Sequence, residues 1–484
     1  MNDIDAKLPI CVDLDGTLIN TDLLFESMMT LLRQNLLYLI CLPIWLMKGR
    51  AYLKRQIATR IDIDPCALPY HAELLEFLKT ERNNGRDLVL ATASDQKYAE
   101  CVSSHLGLFT QAFGSDGVTN LSRHRKSSLL EGRFGKSGFV YAGNSYADVP
   151  VWQVATASIV VAPEGRLLNK VKKDTSLHLW CTFERPKNLT KSIIKSLRIH
   201  QWVKNLLIFV PAVTAHKIFE PLYFEQSLIA FIAFSFCASS VYVLNDIVDV
   251  NADRIHPKKR NRPIASGNLP LSVAFGIVPV LLCVSFAVAL ALPNVFMAWL
   301  AFYFAFTLAY TFFAKRIALL DVLFLAGLFT ARIAAGQFAT GIKFSPWLFA
   351  FSGFFFLSLA FLKRYTEINK LKGTDLIENM GRSYRSDDLD LIRSLGTASA
   401  YASILIFALY VDSNRVRALY RHPGALWFIA PILVYWVSRV WLLAHRGELD
   451  YDPIVFALKD KVSYVLLAIT AIIIVLATRG FILR

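Results

Sequence analysis

The sequence predicts two parts of different fold class: an N-terminal α/β domain with a helical cap, and a C-terminal all-α domain of about nine transmembrane helices. Apolar runs of about 18 residues, the length that spans a bilayer, recur only in the second part. The first part mixes charged and apolar side chains and opens with a short apolar strand that runs into acidic residues. We therefore expect an α/β domain over 1–170, a basic interfacial linker helix over 171–204 and a membrane domain over 205–484.

Composition and charge favour a membrane protein over a nucleic-acid-binding one. The chain is 55% hydrophobic with 35 phenylalanines, above the roughly 45–50% that is usual for soluble domains. Its net charge is +15, but Lys and Arg are spread over loops and form no continuous basic stripe. The seven cysteines show no metal-ligand spacing, and the N-terminus lacks a signal segment. We expect a multi-pass protein of the inner (plasma) membrane, with its N-terminal domain and active sites on the cytoplasmic side.

Polar side chains follow three predicted strands, at the end where open α/β sheets carry their chemistry. The strands lie within 8–17, 87–94 and 139–148. The candidate site residues at their ends, with one lysine from the stretch before the third strand, are Asp13, Asp15, Thr92, Ser94, Lys126, Gly143, Asn144 and Asp148. Phosphoryl transfer to a carboxylate needs a nucleophilic Asp, an Asp two residues later that protonates the leaving oxygen, a hydroxyl and a Lys for the phosphate, and acids for magnesium. The chain supplies these groups in that order.

The motifs DLDGT, ATAS and GNSYAD, with the lysine, resemble the four motifs of the haloacid dehalogenase superfamily of phosphatases, over about residues 8 to 165. The resemblance implies these roles: nucleophile and magnesium ligand for Asp13, acid/base and magnesium ligand for Asp15, phosphate binding for Thr92 and Lys126, and magnesium ligand for Asp148. The fourth motif departs from the family, because Asn144 stands where many members have Asp. A degenerate, regulatory domain is therefore the alternative to an active phosphatase.

An apolar stretch between the first two motifs, residues 35–57, has two interpretations. Pro43 interrupts it and leaves about a dozen apolar residues in a row, which is too short to span a bilayer. We favour a helical cap buried on the core of the α/β domain. The alternative is a cap that contacts lipid. Its residues at headgroup level would be Trp45, Lys48, Arg50, Lys54 and Arg55.

The C-terminal part contains nine apolar segments, the first of them short. They are 205–219, 222–244, 271–292, 295–313, 317–340, 345–362, 395–411, 424–443 and 461–479. If the N-terminal domain is cytosolic, the cytosolic loops hold seventeen Lys and Arg residues, and the outer loops and C-terminal tail hold seven. This asymmetry supports the orientation, because Lys and Arg accumulate in cytosolic loops. It also accounts for the positive net charge.

The second span ends in a row of oxygen ligands, within the segment NDIVDVNADRIHPKKRNRPIASG. On a helix, Asn245, Asp249 and Asp253 fall within about 80° of one another, with Asp246 beside them. Carboxylates so close together at a membrane helix end indicate a bound cation, and magnesium suits one or two carboxylates plus phosphate oxygens. Further phosphate charge would be bound by the basic residues that follow, namely Lys258, Lys259, Arg260 and Arg262. An ordinary solvated loop is the alternative.

This segment resembles the first motif of the UbiA superfamily of intramembrane transferases, whose nine-helix fold matches the predicted spans. More narrowly, LRIHQWVKN, the acidic segment and GRSYRSDD resemble the decaprenyl-phosphate phosphoribosyltransferases, over about residues 190 to 484. The resemblance implies that a polyprenyl phosphate displaces diphosphate from phosphoribosyl diphosphate, with Mg²⁺ as cofactor. The expected partners are these two substrates and the membrane, without nucleic acid. Homo-oligomerisation is left open.

The loop after the sixth span separates two functional interpretations. Superfamily members with aromatic substrates carry a second Asp-rich motif there, whereas this chain has Lys363 and Arg364, which suit a sugar 5-phosphate. Arg332, within a span, is either functional or paired with Asp321 for structure. The remaining candidate substrate-binding residues are Lys204, Asp450 and Asp460.

The leading hypothesis is a fused enzyme that makes a lipid-linked pentose. Its membrane part transfers phosphoribose to a polyprenyl phosphate, and its α/β part removes the 5-phosphate of the product. The alternative is an aromatic prenyltransferase, in which the same acids bind prenyl diphosphate and a quinone precursor is the acceptor. In that case the phosphatase domain is regulatory or unrelated.

Overall fold

The structure is a computed structural model that describes residues 8–35, 37–163, 167–175, 177–184, 189–371, 384–449, 453–457 and 459–479. The chain divides into two compact units. We call them the sheet unit, Met1–Arg198 with Tyr242–Val280, and the helical unit, Ile199–Val241 with Leu281–Arg484.

A six-stranded parallel sheet forms the centre of the sheet unit. Its strands are β1 (Ile10–Val12), β2 (Leu88–Asp95), β3 (Gln111–Ser115), β4 (Val140–Gly143), β5 (Ala157–Val161) and β6 (Leu179–Phe183). They lie in the order β3-β2-β1-β4-β5-β6 and all pair in parallel. Side chains alternate between two buried faces, since Ile10 and Val12 enter one core and Cys11 the other. The predicted α/β class is confirmed, and the three predicted strand ends belong to the adjacent strands β2, β1 and β4.

Helices of the sheet unit lie between and after these strands. They are α1 (Leu23–Gln34), α2 (Tyr38–Met47), α3 (Arg50–Ala58), α4 (Ala72–Asn83), α5 (Gln96–Leu106), α6 (His124–Phe134), α7 (Val149–Trp152), α8 (Leu167–Lys173) and α9 (Leu189–Leu197). The segment predicted as one linker helix over 171–204 differs from that prediction. It contains β6, which pairs with β5 and extends the sheet, and only then α9.

The prediction of a buried cap over 35–57 is wrong for its first half. No residue of α2 is buried, and its apolar side chains are largely exposed. α3 does pack on the domain, through Ala51, Leu53, Ile57 and Ala58. The difference has a physical reason: α2 is apolar around its whole circumference, so packing one side leaves the others uncovered.

The remaining helices include the membrane spans. They are α10 (Val210–Thr214), α11 (Pro221–Val248), α12 (Val250–Ile255), α13 (Leu271–Ala289), α14 (Asn294–Phe312), α15 (Leu320–Thr340), α16 (Pro346–Leu371), α17 (Leu389–Val411), α18 (Asn414–Leu419), α19 (Ile429–His445), α20 (Pro453–Ala457) and α21 (Lys461–Arg479). Within the described ranges, eight helices are long and apolar enough to cross a membrane. These are α11, α13 to α17, α19 and α21, and each coincides with one of the predicted spans.

The first predicted span, 205–219, is not among these eight helices. The chain there forms a 3-10 helix, Ile199–Phe209, followed by the five-residue α10. Pro211 lies in the first turn of α10, where proline is tolerated because its missing N–H would have no helical partner. The segment is apolar, but it lacks one continuous helix of spanning length.

Candidate active sites

The carboxyl end of β1 places Asp13 beside a buried lysine. Lys126 Nζ lies 2.9 Å from Asp13 Oδ1 and donates a hydrogen bond to the hydroxyl of Tyr141 at 2.8 Å. That hydroxyl donates in turn to Asp148 Oδ1 at 2.9 Å. Burial raises the pKa of the Asp13 carboxyl to about 7, although the Lys126 ammonium opposes the shift. Three of the predicted site residues are thus brought together at the centre of the sheet edge.

Asp148 is held by protein donors on both of its oxygens. Besides Tyr141, it accepts backbone N–H hydrogen bonds from Asn144 at 3.1 Å and Ser145 at 2.9 Å, and one from Ser145 Oγ at 3.0 Å. These bonds fix the carboxylate, and through Tyr141 they orient Lys126 toward Asp13. The geometry favours a positioning role for Asp148 over the direct magnesium ligation that the family resemblance implies.

Asp15 lies two residues beyond Asp13 and is also buried among donors. Its carboxylate accepts hydrogen bonds from the backbone N–H of Leu23 at 2.9 Å and from Ser94 Oγ at 2.6 Å. Burial, with the nearby Asp22 carboxylate, raises the pKa of Asp15 to about 6. Such a group can give and take a proton near neutral pH. Thr92 is buried in β2, two residues before Ser94, and its hydroxyl accepts a hydrogen bond from the Ser94 N–H at 3.0 Å.

Lys54 enters the same site from α3, and not the lipid headgroups where the alternative interpretation of the cap placed it. Its ammonium donates to the carbonyl of Ala93 at 2.6 Å and to Asn120 Oδ1 at 2.9 Å. Burial lowers its pKa, and the carboxylates of Asp15 and Asp22 act in the opposite direction. Arg55, also predicted at headgroup level, pairs with Asp95 instead. Sequence patterns gave no sign of this, because α3 and the strand ends meet only in the folded domain.

Asn144 packs tightly against the turn that follows Asp13 and Asp15. A Cβ atom added to Gly16 would lie 2.3 Å from Asn144 Nδ2, and Gly16 has a φ of +73°, so this position requires glycine. The amide therefore lies against the turn that carries Asp13 and Asp15. An amide oxygen and two carboxylates, those of Asp13 and Asp15, are the types of ligand that Mg²⁺ takes together with phosphate oxygens.

The predicted acidic face lies where α11 ends and α12 begins, on either side of Asp249. The helical hydrogen bonds continue through this junction, since the Asp249 N–H donates to the Asn245 carbonyl at 2.9 Å and the Asp253 N–H to the Asp249 carbonyl at 2.8 Å. The three residues therefore keep the spacing of one helix face. Asp246 and Asp253 are buried, whereas Asn245 and Asp249 are half-buried.

Arginine side chains compensate the buried acids in this structure. Arg262 Nη1 lies 3.1 Å from Asp246 Oδ1 and 2.5 Å from Asp253 Oδ2, and it thereby bridges the two carboxylates. Arg198 also pairs with Asp246. Repulsion between the acids is thus relieved partly by guanidinium groups. The sequence analysis placed Arg262 near these acids but did not single out Arg198, which lies far from them along the chain.

α1 runs antiparallel to α12, and both candidate sites belong to the sheet unit. One face of α1 contacts α12 at three positions: Glu26 with Arg254, Thr30 with Asn251, and Arg33 with Asp249. Arg33 Nη2 lies 4.0 Å from Asp249 Oδ1. The turn after Asp15 also meets the loop after α12, where a Cβ on Gly267 would lie 2.5 Å from Asn20 Cβ. Sequence reasoning missed these contacts, which join residues more than 200 positions apart.

The Glu26–Arg254 pair is buried and bidentate, and it leads to a stability prediction. Arg254 Nη1 lies 2.8 Å from Glu26 Oε2 and Nη2 lies 2.5 Å from Oε1, with both side chains about 5% exposed or less. We expect Glu26→Ala to destabilise the sheet unit by about 3–5 kcal/mol, because it leaves a buried guanidinium without its counter-charge. Thermal unfolding of the purified full chain measures this. Glu73→Ala, at an exposed position in α4, is the control, and an equal unfolding temperature for both variants would contradict the prediction.

The acidic face has a donor set that fits a magnesium ion bound together with diphosphate. Within the described residues, no group of three or more His, Cys, Asp or Glu side chains is arranged to hold a metal ion. Asn245 and Asp249, which are half-buried, and Asp253 offer an amide and two carboxylates. Mg²⁺ commonly uses one or two carboxylates and completes its coordination with phosphate oxygens and water. Lys258 and Arg260 lie exposed in the loop after α12.

In the helical unit, Arg364 belongs to a buried network and not to an open phosphate site. Its Nε lies 2.5 Å from Asp321 Oδ2, and Nη1 pairs with Glu367. The hydroxyl of Tyr384 donates to Asp321 Oδ1 at 2.6 Å. This geometry favours a structural role for Arg364 over the predicted sugar-phosphate one, because its guanidinium is 1% exposed and engaged by acids. Lys363, the other member of the predicted basic pair, is half-buried.

The Asp321–Arg364 pair gives a second stability prediction. Asp321→Asn removes the charge that compensates the buried guanidinium, so we expect the helical unit to lose about 3–5 kcal/mol. The measurement is the thermal unfolding of the chain in detergent. Asp390→Asn, which affects an exposed ion pair with Arg393, should change the unfolding temperature little. A comparable effect at both positions would rule out a special role for the buried pair.

Arg332 does not pair with Asp321, so that structural alternative is wrong. Its guanidinium donates to Asn205 Oδ1 at 2.9 Å and to the hydroxyl of Tyr303 at 2.8 Å. This network is buried between α14, α15 and the 3-10 helix. Lys204, the neighbour of Asn205, places its ammonium 5.9 Å from the ring centroid of Phe329.

Asp460 caps a helix in this structure. It directly precedes α21 and accepts a hydrogen bond from the Ser463 N–H at 2.9 Å. Arg439 binds it through two nitrogens, at 2.7 Å and 3.0 Å. These contacts favour a structural role over the predicted substrate-binding one. Asp450 lies outside the described residues.

Comparison with known proteins gives matches to both the membrane part and nearly the whole chain. A sequence profile described as the UbiA prenyltransferase family matches residues 206–459. An uncharacterized protein of Sinorhizobium fredii is 40% identical over 98% of this chain and 92% of that protein. A decaprenyl-phosphate phosphoribosyltransferase of Corynebacterium glutamicum is 33% identical over 60% of this chain and 88% of that enzyme. Among solved structures, a UbiA homolog from Archaeoglobus fulgidus bound to DMAPP and Mg²⁺ has a TM-score of 0.45 at 14% identity, covering 59% of this chain and 99% of that one.

Proposed function

Because the chain belongs to the UbiA prenyltransferase family, we propose that this multi-pass membrane protein transfers 5-phosphoribose from phosphoribosyl diphosphate to a polyprenyl phosphate and releases diphosphate. The similarity to a decaprenyl-phosphate phosphoribosyltransferase supports this donor and acceptor. The observation that carries the proposal is the row Asn245, Asp249 and Asp253 on one helix face, with arginines beside it. The active sites face the cytoplasm in this proposal.

The acidic face binds the diphosphate of the donor. Asn245, Asp249 and Asp253 would hold Mg²⁺, which neutralises the departing diphosphate when bound. Arg262, which contacts Asp253 in the structure, would then bind phosphate oxygens and leave the Asp253 carboxylate available to the metal. The phosphate of the lipid acceptor attacks the anomeric carbon, so no protein base is needed to activate it.

We propose further that the phosphatase-like site removes the 5-phosphate of the lipid product. Asp13 attacks the phosphorus, and Asp15 gives a proton to the leaving oxygen and later takes one from water. Lys126, held by Tyr141 against Asp13, binds the phosphate, and Lys54 brings a second positive charge from α3. Mg²⁺ would be held by Asp13 and Asp15, with the Asn144 amide beside them.

The contacts between α1 and α12 support a coupling of the two reactions. Both sites lie in the sheet unit, and Arg33 of the phosphatase-like fold approaches Asp249 of the acidic face. A product released at one site then meets the other at a high local concentration. In this proposal the transferase acts first and the phosphatase second, because the 5-phosphate is still present when phosphoribose is transferred to the lipid.

Membranes that contain the full chain provide the direct test. With labelled phosphoribosyl diphosphate, polyprenyl phosphate and Mg²⁺, we expect a labelled lipid, and a chelator should prevent its formation. The same membranes with prenyl diphosphate and an aromatic acceptor should give no product. Absence of labelled lipid in the first incubation, or prenylation in the second, would overturn the proposed substrates.

A further inference from the structure

The helix α2 exposes an apolar surface that is unusual for a folded domain. Five of its apolar side chains are more than half exposed, at 61% for Leu39, 68% for Ile40, 52% for Ile44, 51% for Leu46 and 87% for Met47. Contiguous apolar patches of this kind mark interaction surfaces. We propose that α2 is an interfacial membrane helix, which inserts into the headgroup region of the bilayer and holds the phosphatase-like site at the membrane surface.

The packing of α1 and α2 places them beside the end of a membrane span. The ring of Phe25, in α1, lies 5.4 Å from the ring of Phe275, one turn inside α13. Tyr38 and Leu42 of α2 pack against the same apolar cluster, which includes Leu271 at the start of that span. The exposed side of α2 therefore lies at the level where α13 enters the bilayer.

The residues around α2 are those of a membrane interface. Trp45 and Tyr38 form an aromatic pair with ring centroids 5.8 Å apart, and the Arg60 guanidinium lies 4.9 Å from the Trp45 ring. Lys48 follows the helix and lies 5.3 Å from the ring of Tyr52. Aromatic and basic side chains concentrate at headgroup depth, where rings and ammonium groups contact both lipid and water.

The length of α2 decides between spanning the membrane and lying in its plane. Its ten residues measure about 15 Å, half of the roughly 30 Å hydrocarbon core. Pro43 lies inside the helix. The bilayer is the occupant that the position predicts, because α2 shares an apolar cluster with the first turns of α13, a helix long and apolar enough to cross a membrane. A second copy of the chain would have to compete with lipid at that level.

α2 leads directly into the phosphatase-like site. After Gly49, whose φ of +114° turns the chain, α3 begins and carries Lys54 into the site. A cap anchored in lipid at one end and lining the site at the other fits a phosphate that is itself attached to a membrane lipid. This statement of substrate class rests on the proposed function, whereas the insertion of α2 does not.

Fluorescence quenching in lipid nanodiscs tests the insertion. We would attach an environment-sensitive nitrobenzoxadiazole label to Ile40→Cys or Met47→Cys in a cysteine-free full chain that keeps the wild-type thermal unfolding profile. Asn84→Cys, exposed at the end of α4, is the matched control. We expect quenching by doxyl-labelled lipids to be at least about threefold stronger at the two α2 positions than at the control, with the reverse order for aqueous iodide.

Two results would overturn the proposal. Iodide quenching at the α2 positions as strong as at the control would mean that α2 lies in water. Protection from both quenchers would mean that protein, such as a second copy, covers the helix. Repeating the measurement in the Asp13→Asn chain separates this inference from the proposed function, since lipid quenching should persist when phosphate release is lost.

Discussion

Replacing Asp249 by asparagine is expected to reduce the transfer of phosphoribose to lipid by about a thousandfold, equivalent to about 4 kcal/mol of transition-state stabilisation. The amide keeps the size of the side chain but loses the charge at the centre of the acidic face. Asp249 is half-buried and lies 4.0 Å from Arg33, so its loss leaves diphosphate with fewer charged partners. The measurement is the rate of labelled lipid formation at saturating donor and Mg²⁺.

The control for this variant is Asp390→Asn, an exposed acid at the start of α17. Its transfer rate should equal that of the unmodified chain. Thermal unfolding of both variants shows whether the fold is retained. A folded Asp249→Asn chain with an unchanged rate would remove the acidic face from the proposed transferase site.

The Asp13→Asn variant should lose phosphate release from the lipid product by at least about a thousandfold while retaining the transfer reaction. Asparagine cannot form the acyl phosphate that the proposed mechanism requires, and it also breaks the ion pair with Lys126. Mass spectrometry of the lipid made by each chain measures the result directly. The unmodified chain should yield lipid-linked ribose, and the variant should yield the same lipid with one additional phosphate.

Asp87→Asn is a matched control in the same unit, because Asp87 is exposed and precedes β2 at the end of the sheet away from the site. Its product should be that of the unmodified chain. If Asp13→Asn also gave the dephosphorylated lipid, the phosphatase assignment would be wrong. The regulatory alternative suggested by Asn144 would then account for the domain.

The parts of the structure that were predictable are those encoded by local pattern. The three strand ends at Asp13, Thr92 and Asn144 follow from short apolar runs that end in polar residues, and the structure places these strands side by side. The eight long spans follow from continuous apolar length. The spacing of the acidic face is a property of helix geometry, so it survives the small break at Asp249.

The parts that were not predictable depend on partners distant in sequence. Lys54 was assigned to the lipid headgroups in the alternative interpretation of the cap, and its place in the site depends on the packing of α3 against distant strand ends. Arg364 was predicted to bind a phosphate, because the sequence does not show that Asp321 and Glu367 pair with it in the fold. The exposure of α2 was missed for a similar reason: an apolar helix of ten residues is equally consistent with a buried core and with an uncovered surface.

The buried pairing of Glu26 with Arg254 has a consequence for the ancestry of such chains. If the chain were divided between α9 and α11, Glu26 would lie on one fragment and Arg254 on the other, each without its counter-ion. Met29 and Leu32 would also become exposed to water. Replacing either fragment by one from an unrelated protein is therefore expected to destabilise the product. Substitutions at Glu26, Asn20 and Gly267 should instead be inherited as a set, so the two halves are expected to share one evolutionary history.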